Sequence, residues 1–307
     1  MPKNISYRPV LIDQLITNER LASYKTVFQI SDDAELVGAY LWNTKVCSAF
    51  YPLLNAAEIT LRNAIDHALR NDLGGFWWKE NKLHFKSYSK TSNSPVPYSV
   101  NAIRKNFKNG FDQVTRDKKR RYKVTNQRPT HQEIIANTDL STWEFLLDSE
   151  FMGPKLIWPK HLGTVFRGQW PSVKAAQTLD STKDLVKTVR EFRNRVSHHE
   201  PVWKRYGVRT ESDVMEHLHE KLRKITSLIS LVSPEKLDLL DKSGIISRAE
   251  RACSINELRR CQHRLEAQSV KSMSKLSRIA KKAVRDNSSE QIVLYKNGKT
   301  RVTFEPC

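Results

Sequence analysis

Between Lys45 and Asn71 the apolar residues Val46, Phe50, Leu53, Ala57, Leu61, Ala64 and Ala68 recur at steps of three and four. That spacing is one stripe of an amphipathic helix, and Gly74 and Gly75 supply a glycine stop at its end. Upstream, SDDAELVGAYLW opens with a serine followed by acids, which predicts another helix starting near Ser31. The pattern weakens over about 79–129, where serines, prolines and the run RDKKRRYK read as a mostly helical, solvated insertion with loops. DLSTWEFLLDSE then offers an Asp or Ser cap before Trp143, Phe145, Leu146 and Leu147, and helical periodicity returns over 181–199 and 211–231.

Beyond Ser254 the composition shifts. ELRRCQHRLEAQSVKSMSKLSRIAKKAVRD reads as a long basic helix, and two alternating β-branched runs around Asn297 and Gly298 predict a hairpin. The expected architecture is therefore all-α: a helical body over 1–254, with a C-terminal appendage of basic helix and β-hairpin over 255–307.

Charge narrows the choice of partner. Lys and Arg number 52 against 33 Asp and Glu, giving +19 at pH 7 and a pI near 9.8. Such an excess repels itself in the compact state, so it implies a polyanionic partner, nucleic acid first. No run of about 18 apolar residues exists to span a bilayer, and the N-terminus lacks a signal-peptide core, so no membrane partner and a cytoplasmic location are expected. Cys47, Cys253, Cys261 and Cys307 form no CxxC pair and read as reduced thiols. His217 and His219, two apart on a helix, face different directions and make no metal pair. Trp77 and Trp78, after the glycine break, read as core anchors. No cofactor and no metal is implied.

The stretch REFRNRVSHHEP at 190–201 concentrates candidate chemistry. Leu185, Val189, Phe192 and Val196 fall within about 60° on a wheel of 100° per residue and form the core stripe. Asn194 and His198 lie on the opposite face, with Arg193 between the faces and Arg190 on the polar stripe. His199, at the stripe's edge, reads as a partly buried histidine near the helix end. A negative ligand over the polar face would meet guanidinium forks and an imidazole together.

Arg193, Asn194 and His198 spell RNxxxH, and here the chain resembles the HEPN superfamily of ribonucleases. The wider VREFRNRVSHHEPVW is similar to the signature of the Abi-like proteins, abortive-infection proteins of the AbiD and AbiF kind. EITLRNAIDHAL, GGFWWKENKLHF and DLSTWEFLLDSEFMGP fall in the order that family places them, so the resemblance covers roughly 30–235. It implies a HEPN-like helical bundle and metal-independent endoribonuclease activity in a homodimer, acting in phage defence or as a toxin. In that reading His198, of a residue type with a reference pKa of about 6.5, takes the 2′-hydroxyl proton. Arg193 stabilises the phosphoryl charge, and Asn194 orients the imidazole or the phosphate. Cyclising cleavage also needs a proton donor for the 5′-oxygen, which a second His198 across a two-fold axis would supply.

A second copy of the pattern, Arg62, Asn63 and His67, reads either as another catalytic set, as in two-HEPN type VI CRISPR effectors, or as ordinary helix surface with Glu58 and Arg62 paired at i, i+4. A third reading packs Glu58 and Arg62 beside the motif helix, where they hold Arg193 or the RNA. Two basic runs complete the RNA-binding expectation: nine Lys and Arg over 104–123, including Lys118, Lys119, Arg120 and Arg121, and nine over 271–301, including Lys275, Arg278, Lys281, Lys282 and Arg285. The rival function is a non-catalytic or RNA-inhibited module that binds a structured regulatory, non-coding RNA.

Overall fold

The computed structural model describes residues 8–304 and 306, except 9, 31, 88–94, 122, 124–126 and 296–298. It is mostly helical: α1 (Asn18–Phe28), α2 (Asp33–Leu73), α3 (Tyr98–Arg121), α4 (His131–Ala136), α5 (Leu140–Leu146), α6 (Leu162–Val165), α7 (Ala175–Ser197), α8 (Glu211–Val232), α9 (Pro234–Lys242), α10 (Ile245–Ala252), α11 (Ile255–Cys261) and α12 (Met273–Arg285). A small sheet of β1 (Gln268–Val270), β2 (Glu290–Tyr295) and β3 (Lys299–Phe304) lies at the C-terminal end of the sequence. No helix among the described residues is long and apolar enough to cross a membrane.

Two compact units divide the chain: Met1–Leu53 with Phe192–Arg223 and Leu239–Cys307, and Leu54–Glu191 with Lys224–Asp238. Helices α2, α7 and α8 run through both. The residues after 254 thus group with the chain's beginning and with the end of α7.

In the first unit, α2 is capped by Asp32, whose Oδ1 accepts from the backbone N–H of Ala34 at 2.8 Å and of Glu35 at 3.1 Å. Ser31, the expected cap, lies outside the described residues. The two helices expected here are one of 41 residues, continuous through Pro52. Proline removes one i to i−4 hydrogen bond, but the buried stripe of Leu36, Ala39, Val46, Phe50 and Leu53 passes it without a break, and burial of that stripe outweighs one missing bond.

The C-terminal region corrects the expected long basic helix. That segment breaks into α11, β1 and α12, with Ser254 and Ser272 capping the two helices. β1 pairs in parallel with β2, so α12 is the crossover of a βαβ unit. The hairpin β2–β3 is present in the register Glu290↔Phe304 to Tyr295↔Lys299; its turn, Asn297–Gly298 with Lys296, lies outside the described residues. Val270, Ile279 and Ile292 form a small core with Leu276, Val302 and Phe304. A strand of three residues is too short to show alternation, and the apolar Leu276, Ile279 and Ala283 are scattered among lysines and arginines. Side-chain contacts tie this region to the rest of its unit: Arg251 Nη1 donates to Asn287 Oδ1 at 3.0 Å, Asn287 Nδ2 to the Ser247 carbonyl at 2.8 Å, and Arg259 Nη2 to Glu211 Oε2 at 2.5 Å.

In the second unit, the stretch expected to be a solvated insertion contributes to the core. Val100, Ile103, Phe107 and Val114 of α3 are buried, and Phe107 stacks on Trp78 at 4.2 Å between ring centroids and meets Trp77 edge-on at 5.3 Å. Intervening Lys, Arg and Asn residues dilute that stripe in the sequence. Asp66 Oδ1 accepts from Trp77 Nε1 at 2.8 Å and lies 2.7 Å from His131 Nε2. Because the Phe76 N–H donates to His131 Nδ1 at 2.8 Å, the ring proton belongs on Nε2 and is given to Asp66. Trp77 and Trp78 are core anchors, as expected.

Candidate functional site

Helix α7 buries Val186, Val189, Phe192 and Val196, with Leu185 only half-buried. Its end sets the geometry of the motif. The N–H of His198 still bonds to the Asn194 carbonyl at 2.9 Å, the N–H of His199 bonds to Val196 O at 3.2 Å, and the N–H of Glu200 to Arg195 O at 3.0 Å. With φ of 57° at His199, this is a Schellman termination, with His198 at the cap and His199 in the left-handed position that glycine usually fills. A non-glycine residue there costs roughly 1–2 kcal/mol, so neighbouring contacts must hold it.

Those contacts are present in the same unit. Arg20 donates to the His199 carbonyl, and Asn43 takes the N–H of Val202 at 3.0 Å while its amide lies 3.4 Å from the Glu200 carbonyl. Arg195 reaches forward to Glu200 Oε2 at 3.1 Å and to the Lys204 carbonyl at 2.5 Å. Val202 and Trp203 are fully buried, with Trp203 5.0 Å edge-on from both Tyr24 and Phe28. The segment HEPVW therefore anchors the helix end. His199 is exposed, not partly buried: the left-handed turn swings it off the helical wheel on which that expectation rests.

His198 is exposed on this fixed backbone, one turn after the half-buried Arg193 and Asn194. Arg193 Nη1 lies 3.5 Å from Asn194 Oδ1. One protomer thus presents one imidazole, one guanidinium and one amide on a single helical turn. This arrangement can accept or donate one proton and stabilise an oxyanion, but it holds only one acid–base group.

Other expected RNA ligands divide into paired and outward-facing residues. Arg190 Nε sits 2.5 Å from Glu144 Oε2, and that carboxylate is buried. Lys118 is 2.9 Å from Glu133, whose carboxylate also closes the capping box at Thr130; Arg121 is 3.7 Å from Asp117. Lys119 and Arg120 are exposed. On α12, Lys282 pairs with Glu290 at 3.3 Å and Arg285 with Asp286 at 2.7 Å. Arg278, Lys281 and Arg285 line a concave face together with Ser274 and Ser277, and Lys275 is half-buried. In the second RNxxxH copy, Arg62 Nε is 3.4 Å from Asn63 Oδ1 and the exposed His67 is 3.1 Å from Asn71 Nδ2. That copy lies in mid-helix, with no turn to present its histidine.

A family model described as Abi-like protein matches residues 15–204, well over half of the chain. The chain belongs to the Abi-like protein family. No curated protein and no solved structure matches it. Within the Abi-like region the ordered blocks have distinct jobs. LRNAIDHAL and GGFWW meet at Asp66 and Trp77. DLSTWEFLLD supplies Glu144 to Arg190 and Asp148 to Lys183 at 2.5 Å. VREFRNRVSHHEPVW carries Arg193, Asn194 and His198 at the end of α7, with His198 exposed.

Proposed function

We propose that this Abi-like protein is a HEPN-type, metal-independent endoribonuclease of bacterial abortive infection, cleaving RNA at a site completed by a second copy of itself. The observation that carries this reading is the exposed His198 at a braced helix end, one turn beyond Arg193 and Asn194. His198 of one protomer removes the 2′-hydroxyl proton, and the oxygen attacks the adjacent phosphorus. Arg193 stabilises the extra negative charge on the phosphoryl oxygens, where an always-protonated donor is needed. The 5′-oxygen leaves with a proton from His198 of the second protomer, giving a 2′,3′-cyclic phosphate and a 5′-hydroxyl end. Family membership supports the defence role.

Mixed dimers test the composite site. Light scattering should find a dimer, and combining intact chains with excess His198→Ala chains should suppress cleavage beyond simple dilution. A monomer retaining full activity overturns this reading and brings Arg62, Asn63 and His67 forward.

The α12 surface favours a second reading, in which the same fold grips a structured regulatory RNA and cleavage is held off while it is bound. Its Arg278, Lys281 and Arg285 form one outward face suited to phosphates. Protein purified with a discrete RNA, active only after its removal, would favour it.

A further inference from the structure

Within the first unit a cavity of about 330 Å³ opens between the middle of α2 and α10, lined by Lys45, Ser48, Pro52, Ile245, Arg248 and Arg251. Among the described residues three cations line it and no carboxylate does. Arg251 is only 7% exposed, and its guanidinium donates to the neutral Asn287 side chain at 3.0 Å. Among the described residues no carboxylate lies within ion-pair distance of it. Burying an ion without a counter-charge costs several kcal/mol. Next to it the molecule shows the balanced alternative: Lys45 and Arg260 both lie 2.5 Å from the fully buried Glu257. Arg248 is exposed at the cavity's edge, where it can reach the same incoming group.

We infer that this cavity binds the phosphate of a nucleotide-sized phosphomonoester. Arg251 and Arg248 would grip the oxygens, since guanidinium forks match phosphate geometry, with the Ser48 hydroxyl as a further donor. The volume falls at the lower end of small-ligand sites and exceeds what a bare oxyanion fills. The apolar Pro52 and Ile245 of the lining suit the flat, weakly polar part of a nucleoside. Two sources carry this chemistry: a free nucleoside monophosphate, and the 5′-phosphorylated end of an RNA. The site is independent of Arg193, Asn194 and His198.

Thermal-shift and calorimetric titrations of the RNA-free protein with AMP, GMP, CMP, UMP and adenosine test it. The monophosphates should raise the melting temperature, and adenosine should not. Arg248→Ala, an exposed change that spares the fold, should weaken monophosphate binding about tenfold, the worth of one charge-assisted hydrogen bond. Arg251→Gln should weaken it further; if that variant does not fold, Arg248→Ala decides alone. No shift with any monophosphate, equal binding of adenosine, or undiminished affinity in Arg248→Ala overturns the inference. In His198→Ala protein, a trinucleotide bearing a 5′-phosphate that displaces AMP, where its 5′-hydroxyl counterpart does not, names the RNA end as the source. Failure of both to displace AMP names the free nucleotide.

Discussion

Arg190 Nε lies 2.5 Å from the carboxylate of Glu144, a residue only 5% exposed, while Arg193 one turn later belongs to the motif face. Two arginines three positions apart on α7 thus have different work. Replacing Arg190 by Ala leaves a buried carboxylate without its counter-charge and should destabilise the protein by about 3–5 kcal/mol. A double change to Arg190→Met with Glu144→Leu should restore much of that stability, because an apolar pair needs no desolvation. Chemical denaturation of the three variants checks it. An Arg190→Ala protein of unaltered stability would return Arg190 to the RNA surface.

Changes in the motif itself should act on cleavage and leave folding alone. His198 is exposed, and the turn that follows it is held by Arg20 and Asn43 at His199, Glu200 and Val202 rather than through the His198 ring. Stability should therefore change by no more than about 0.5 kcal/mol for His198→Ala, while cleavage and cell toxicity disappear in it and in Arg193→Ala. Products of the unaltered protein should carry 2′,3′-cyclic phosphate ends, and its cleavage should persist in EDTA. Products ending in 3′-hydroxyl groups, or restoration of activity only by a divalent ion, would exclude the 2′-hydroxyl mechanism.

Acid stability should depend on His217. The ring is buried with neither nitrogen hydrogen-bonded among the described residues. Burial first, then the positive charges of Lys221 and Arg205, push its pKa down to about 4. The unfolded chain, at about 6.5, takes up the proton earlier. Folding stability is therefore unaffected by this group above pH 6.5 and falls progressively as pH drops toward 4, by about 3 kcal/mol in all. His217→Leu should flatten that part of the pH profile of the melting temperature. A slope identical to that of the unaltered protein would show that other groups set it.

Periodicity exposes what long apolar stripes can carry. The buried faces of α2, α7 and α8 and the β2–β3 hairpin are all readable in the sequence, and so is the polar turn at Arg193, Asn194 and His198. Interactions that join distant segments are not. Nothing in the spacing couples Asp66 to His131, Glu257 to Lys45, or Asn43 to the chain after Glu200, since each pairing depends on tertiary closure. The Arg190–Glu144 pair is hidden for the same reason: an arginine on a polar stripe looks alike whether it meets a phosphate or a buried carboxylate. A wheel misplaces His199 because it assumes that the helix continues, whereas the backbone there turns left-handed.

Salt dependence should separate the basic face of α12 from the turn that carries Arg193, Asn194 and His198. Arg278, Lys281 and Arg285 share one exposed face, and Lys282 stands beside them with a partner in Glu290. Ile279 and Ala283 on the opposite side are buried, so changing the outer residues to Gln keeps the βαβ core. If this face tracks an RNA backbone, neutralising Arg278, Lys281 and Arg285 together should weaken affinity and lower the slope of log affinity against log salt by about 0.7 for each single-strand phosphate that is no longer neutralised. Cleavage of a short oligonucleotide that cannot reach α12 should change much less. Lys282→Gln or Arg285→Gln alone should have a smaller effect on the slope than Arg278→Gln or Lys281→Gln, because both cations already face a carboxylate, Glu290 and Asp286. Unchanged affinity and slope in the triple variant would make α12 a purely structural crossover, its charges serving solvation alone.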